Sequence, residues 1–136
     1  MTTVAPAKPL ALDPDRLLPV EPGTRAIARR LHAAVADLPI ISPHGHVPPA
    51  WLAEDTAFSD PTSLLIAPDH YVFRLLHAQG VSLADLGVGG RPLTADGSRR
   101  AWRLLAEHWP SFRGTPSRFW MDCVLADVFG VTERLS

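Results

Sequence analysis

The chain has 136 residues, 46% of them apolar and 20% charged, which is a globular composition. A complete (β/α)₈ barrel needs about 250 residues and does not fit this length. Thirteen basic residues against 14 acidic leave a net charge of −1, so no positive field is available to hold a nucleic-acid backbone, and that class of partner is excluded.

Residues 1–12 are rich in Pro, Ala and Thr and read as a flexible N-terminus; residues 13–136 read as the folded part. The N-terminus lacks the apolar core of a signal peptide, and no run approaches the roughly 18 apolar residues of a membrane span. The expectation is a cytoplasmic protein without a membrane partner. Asp13–Leu18 reads as one helical turn with Asp13 as cap. Thr24 is placed to cap a helix over 25–37, whose Ile27, Leu31, Ala34, Val35 and Leu38 recur on one face. The apolar, β-branched run that follows predicts one strand over 39–44, and its continuous apolarity predicts burial on both sides.

Short helices follow. Pro48–Glu54 is one. Asp60-Pro61 opens a second through Ile66, and Asp69 caps a third over 70–79 that Gly80 ends. Tyr71, Leu75 and Ala78 share one face of it. Gly87–Pro92 is a loop. Asp96 or Ser98 starts a helix with Trp102, Leu105, Ala106 and Trp109 at helical spacing. Thr115-Pro116 starts the last long helix, ended by Gly130, with a stripe of Phe119, Trp120, Cys123, Val124, Asp127 and Phe129. Cys123, the single cysteine, can form no intramolecular disulfide and reads as a core thiol. Thr132–Ser136 reads as the first turn of a further helix. The fold class expected is therefore a mainly α fragment with one short strand. A lone buried strand leaves its N–H and C=O groups without ladder partners, so the chain reads as the N-terminal piece of a larger enzyme.

Two constellations can carry chemistry. His44 and His46 end the predicted strand, and residues i and i+2 project from one face, roughly 6.5–7 Å apart at the backbone. Two imidazoles so placed can converge on a metal ion, although two donors are short of a complete site. With six histidines in the chain, a His-x-His pair also arises by chance, so its place after the apolar run is what gives it weight. The second constellation is Asp69-His70-Tyr71-Val72-Phe73-Arg74. It puts a histidine and a phenol on the first turn of a helix, where a carboxylate is favoured. The plainer reading is a capped helix with Tyr71 in the core. Arg74 is in reach of Asp69, Asp60 or a substrate. Trp102, Trp109 and Trp120 read as core, and His32 and His108 as exposed helix positions.

Taken together these residues resemble the N-terminal part of uronate isomerase (glucuronate isomerase), of the amidohydrolase superfamily. The resemblance runs from Leu17 to Val131. It rests on Leu38-Pro39-Ile40-Ile41 followed by His44-Gly45-His46, then Ala53-Glu54-Asp55 with Phe58, then the Asp69–Arg74 block leading to Gly80-Val81. Trp102, Pro110, Thr115-Pro116, Trp120 and Phe129-Gly130-Val131 continue it. The family commonly carries Asp-Tyr-His-Cys-His where Ser42-Pro43-His44-Gly45-His46 stands here, and Lys-Trp-Arg where Val72-Phe73-Arg74 stands. The resemblance implies the first strand and helical insertion of a (β/α)₈ TIM-type barrel. It implies interconversion of hexuronates and ketohexuronates, and a mononuclear divalent metal, zinc by preference, on His44 and His46. By the same carry-over His70 and Tyr71 line the substrate site, Tyr71 as acid/base and His70 as a polar contact. It implies a homo-oligomer at full length and an inactive fragment. A related metal-dependent hydrolase on the same scaffold, and a non-catalytic helical module, are the competing readings.

Overall fold

A computed structural model describes residues 8–42, 45 and 47–135. The chain divides into two compact units. One is Ala11–Gly45; the other joins Met1–Leu10 to His46–Ser136.

The first unit holds a turn and one helix. Asp13 Oδ1 accepts from the Asp15 amide, and Arg16 N–H closes the turn onto the Asp13 carbonyl at 3.1 Å. Helix α1 spans Pro22–Val35, and its cap is Glu21, not Thr24. The Glu21 carboxylate takes the Gly23 and Thr24 amides at 2.8 and 2.6 Å, and the Thr24 hydroxyl at 2.7 Å. Two free amides at a helix start need two acceptor oxygens, and a carboxylate has both, whereas a threonine offers one. Asp15 pairs with Arg29 and lies 3.8 Å from Arg25, which fixes the turn against α1. The predicted apolar stripe exists but no residue of α1 is buried; Leu31 is 66% exposed. A helix with no second element in its own unit has nothing to bury that stripe against.

The strand expected over 39–44 is not formed at its described residues. Pro39–Ser42 carry no β pairing, and Ile40 and Ile41 are 92% and 90% exposed. Pro43 and His44 lie outside the described residues. A parallel strand needs a neighbour for its ladder, and among the described residues the β pairing found is the isolated antiparallel bridge Pro9–Glu133. That bridge involves residues the composition gave no reason to pair. Leu10 N–H donates to the Thr132 carbonyl at 2.8 Å, Arg134 N–H to Lys8 at 2.9 Å, and Leu10 is buried. Thr132–Leu135 is thus extended and does not begin a helix.

The second unit is a set of short helices around α5 (Ala95–Glu107). Its cap is Thr94, two residues before Asp96 and four before Ser98; Thr94 Oγ1 accepts from Gly97 N–H. Helix α3 (Pro61–Leu65) packs on α5. The buried Thr62 hydroxyl donates to the Ser98 carbonyl at 2.8 Å and locks the pair. Helix α4 (His70–Ala78) buries Val72 and Leu76, one helical turn apart. A 3₁₀ turn at Ala84–Leu86 buries Leu86, and another at Trp109–Phe112 buries both its aromatics. Leu65, Ile66, Val81, Ala101, Leu105 and Met121 are buried with them. Of the three tryptophans expected inside, Trp109 is buried, Trp102 half-buried and Trp120 exposed.

Helix α6 runs Pro116–Cys123 under a Thr115 cap and passes into one π turn, Val124–Val128, instead of continuing as α-helix to Gly130. Phe129 N–H reaches the Val124 carbonyl, five residues back. The buried positions are Met121 and Leu125, not the Phe119–Trp120 stripe. Cys123 is half-buried.

Candidate functional site

Helix α4 begins at the residue the sequence assigns. Asp69 is the cap, its Oδ1 accepting from the Tyr71 amide at 2.8 Å. The other end closes on Gly80, at φ +91°. Gly80 N–H reaches His77 O at 2.9 Å and Val81 N–H reaches Leu76 O at 3.2 Å, a Schellman pair that a side chain at Gly80 would strain. His77 Nδ1 lies 2.9 Å from the Val81 carbonyl and is used by this end. The helix is therefore pinned at both termini.

That pinning places His70 and Tyr71 on the first turn. Their ring centroids are 4.4 Å apart and tilted by 36°. Tyr71 is 61% exposed, so the expectation of a core tyrosine fails. The reason lies in helix geometry: burial of Val72 and Leu76 turns the adjoining position outward. Leu75 remains half-buried and Ala78 exposed, so the Tyr71–Leu75–Ala78 face is not the packed one. An imidazole and a phenol are thus held side by side at a surface.

Upstream, α2 (Pro49–Glu54) ends on Asp55, whose φ of +48° is left-handed. The reversal brings Phe58 edge-on to Trp51, with centroids 4.8 Å apart. Asp60 then caps α3 through Ser63 N–H at 2.9 Å. Burial pushes its carboxyl up, but the Ser63 amide, the Ser59 and Ser98 hydroxyls and the Thr62 amide together hold it below the usual value. Two clefts of about 360 and 460 Å³ adjoin Asp60, and neither is lined by His70 or Tyr71. The sequence reading missed this serine cluster, because its Ser98 contribution comes from α5.

His44 and His46 lie outside the described residues. Among the described residues no group of three or more His, Cys, Asp or Glu side chains is placed to hold a metal ion. No described helix is long and apolar enough to cross a membrane.

The family profile for glucuronate isomerase matches residues 23–136. This chain belongs to the glucuronate isomerase family. Uronate isomerase of Rhizorhabdus wittichii is 57% identical over 130 residues, covering 96% of this chain and 27% of the relative. That of Cutibacterium acnes is 58% identical over 127 residues, covering 93% and 27%. The crystal structure of glucuronate isomerase from Caulobacter crescentus superposes with a TM-score of 0.85 at 53% identity, over 95% of this chain and 27% of that one. The chain thus spans about 27% of the length of these family members. The likeness covers both the Asp69–Arg74 helix and the His44-Gly45-His46 segment by residue range.

Proposed function

We propose that this chain is the N-terminal portion of an aldose–ketose isomerase of hexuronates, carrying the helical insertion of a (β/α)₈ barrel. Its reactions would be D-glucuronate to D-fructuronate and D-galacturonate to D-tagaturonate. The observation that carries the reading is the Asp69-capped start of α4, which holds the His70 and Tyr71 rings 4.4 Å apart in a chain of the glucuronate isomerase family.

Isomerisation of this kind moves a proton between adjacent carbons through an enediol. Tyr71, exposed on a rigid turn, serves as the acid/base that relays the proton when a sugar hydroxyl lies within about 3 Å. His70 supplies a neighbouring polar contact that orients the sugar. His44 and His46 would hold a divalent cation, and the donor chemistry fits zinc: two imidazoles one residue apart, with the remaining ligands from elsewhere. When bound, the ion supplies Lewis-acid stabilisation of charge developing on the sugar oxygen. A small-molecule substrate, a cytoplasmic location and a homo-oligomer at full length belong to the same reading. Residues 1–136 alone, with two of the metal donors, are expected to be inactive.

The test is D-glucuronate isomerisation by a full-length chain carrying this segment. His44→Ala or His46→Ala should reduce turnover by at least about a hundredfold, and chelation of the native chain should do the same until metal is restored. Native rates in both histidine variants would defeat the reading, and activity on lactones or amides in place of hexuronates would redirect it to a hydrolase.

A further inference from the structure

We propose that the cleft between α3 and α5 binds a planar aromatic acid, its ring against Trp102 and its acidic group between Arg99 and Arg103. The cleft measures about 460 Å³, within the range of small-molecule sites. One wall is Ser59, Asp60 and Pro61; the other is the outer face of α5, with Arg99, Trp102 and Arg103. The buried Thr62–Ser98 hydrogen bond ties the two helices together and holds the walls in place.

The charges in this cleft call for an anion. Arg99 and Arg103 stand four residues apart on one face of α5, where like charges repel and weaken a helix. Arg99 reaches Asp96, but that carboxylate is 95% exposed and water screens the contact. Arg103 makes no ion pair or hydrogen bond among the described residues, and Glu107, one turn further on, does not take it. Arg74, Arg91 and Arg113 are exposed too, yet none of them lines this cleft or its neighbour. The facing carboxylate is Asp60, and it is answered from its own side by the Ser63 and Thr62 amides and the Ser59 and Ser98 hydroxyls. Two guanidiniums are therefore left to share one acidic group, which each can grip with parallel N–H donors.

Trp102 sets the shape of the ligand. It is half-buried and lines the cleft opposite Pro61, so an entering flat ring meets an indole at stacking or edge-on distance. A sugar acid suits this wall less well. Its hydroxyls need hydrogen-bond partners, and the Asp60 cluster has spent its own on itself. The class is an aromatic ring bearing a carboxylate or a phosphate.

The chain has four tryptophans, so fluorotryptophan labelling gives four fluorine NMR signals, and Trp102→Phe assigns the one in the cleft. Benzoate and phenyl phosphate should each shift that signal saturably, with a Kd on the order of a millimolar, and the tighter of the two names the acidic group. Benzyl alcohol has the ring without the charge; acetate and inorganic phosphate have the charge without the ring. All three should bind about tenfold more weakly or worse. Arg99→Gln and Arg103→Gln should each weaken benzoate about tenfold, and Arg103→Lys should keep part of the affinity. Both guanidiniums are exposed, so neither Gln variant should lower Tm in the absence of ligand. The benzoate response should persist in a full-length chain carrying this segment. No saturable shift from either aromatic acid, or unchanged binding in both Gln variants, overturns the proposal. So does acetate or phosphate binding as tightly as benzoate, which would mark unselective anion attraction, or D-glucuronate doing so, which would mark a sugar-acid site. A fall in Tm for Arg103→Gln would give that residue to the fold, and a response lost at full length would give the cleft to the rest of the polypeptide; either overturns it.

Discussion

The Arg118 guanidinium lies 4.3 Å from the centre of the Trp109 ring while its Nε donates to Asp122 at 3.1 Å. Trp109 is buried, and both charged side chains are largely covered. One arginine therefore pairs with one oxygen of a half-buried carboxylate, Oδ2, and stacks on the aromatic that follows α5.

Removing it leaves Asp122 without its cation and the Trp109 face uncovered. Arg118→Ala should destabilise the chain by about 2–3 kcal/mol. Arg118→Lys, which keeps the charge but not the planar stack, should recover part of this. Urea denaturation midpoints of the two variants check it; equal midpoints for Arg118→Ala and the native chain would refute it.

The cap of α3 predicts a second effect. Asp60→Ala removes the acceptor for the Ser63 amide and should cost about 1 kcal/mol, with Asp60→Asn nearly neutral. Thermal unfolding followed by circular dichroism distinguishes them.

The C-terminal cap of α4 predicts a third. Gly80 sits at φ +91° with nothing within 4 Å of the position a Cβ would take, so Gly80→Ala meets backbone strain and no clash. The expected cost is about 1–2 kcal/mol. Amide exchange should then accelerate at Val81, whose N–H depends on that turn.

A fourth prediction concerns pH. The Thr24 and Gly23 amides and the Thr24 hydroxyl hold the Glu21 carboxyl below its ordinary 4.5. The hydrogen bond from Arg29, with its charge and that of Arg25, outweighs burial and holds Asp15 below its ordinary 3.8. A carboxyl whose folded pKa is depressed adds stability above its ordinary value and loses it as pH falls through the folded value. The cap and the Asp15–Arg29 pair should therefore lose their contribution on acidification, and α1 should fray progressively as pH falls below about 4.5. Residue-resolved amide exchange in α1 checks this, with Glu21→Gln moving the native response.

At the candidate site, Tyr71→Phe in a full-length chain should lower kcat by about a hundredfold to ten-thousandfold with little change in stability, because the phenol is exposed and general acid–base groups contribute on that scale. A near-native kcat would reassign the proton transfer to His70 or to residues elsewhere in the chain.

Local chemistry was legible in order. Asp60-Pro61, Asp69 with Gly80, and Thr115-Pro116 each mark a helix boundary that the structure reproduces, because capping involves residues only two or three positions apart. The helix faces were not legible to the same degree. On α4 and α6 two apolar stripes compete, and only tertiary burial selects Val72–Leu76 and Met121–Leu125 over Tyr71–Leu75 and Phe119–Trp120. Glu21 does not read as a cap because glutamate is uncommon there, and its two oxygens matter only once two amides converge on it.

The sequence by itself determined the helix punctuation, the family resemblance and the candidates His44, His46, His70 and Tyr71, since these depend on residue identity and short spacing. Tertiary structure alone decided that Tyr71 faces outward, that Lys8–Leu10 runs beside Thr132–Arg134, and that Pro39–Ser42 forms no ladder within the described residues. Burial and β pairing both require a partner distant in sequence, and no local pattern specifies whether that partner is present.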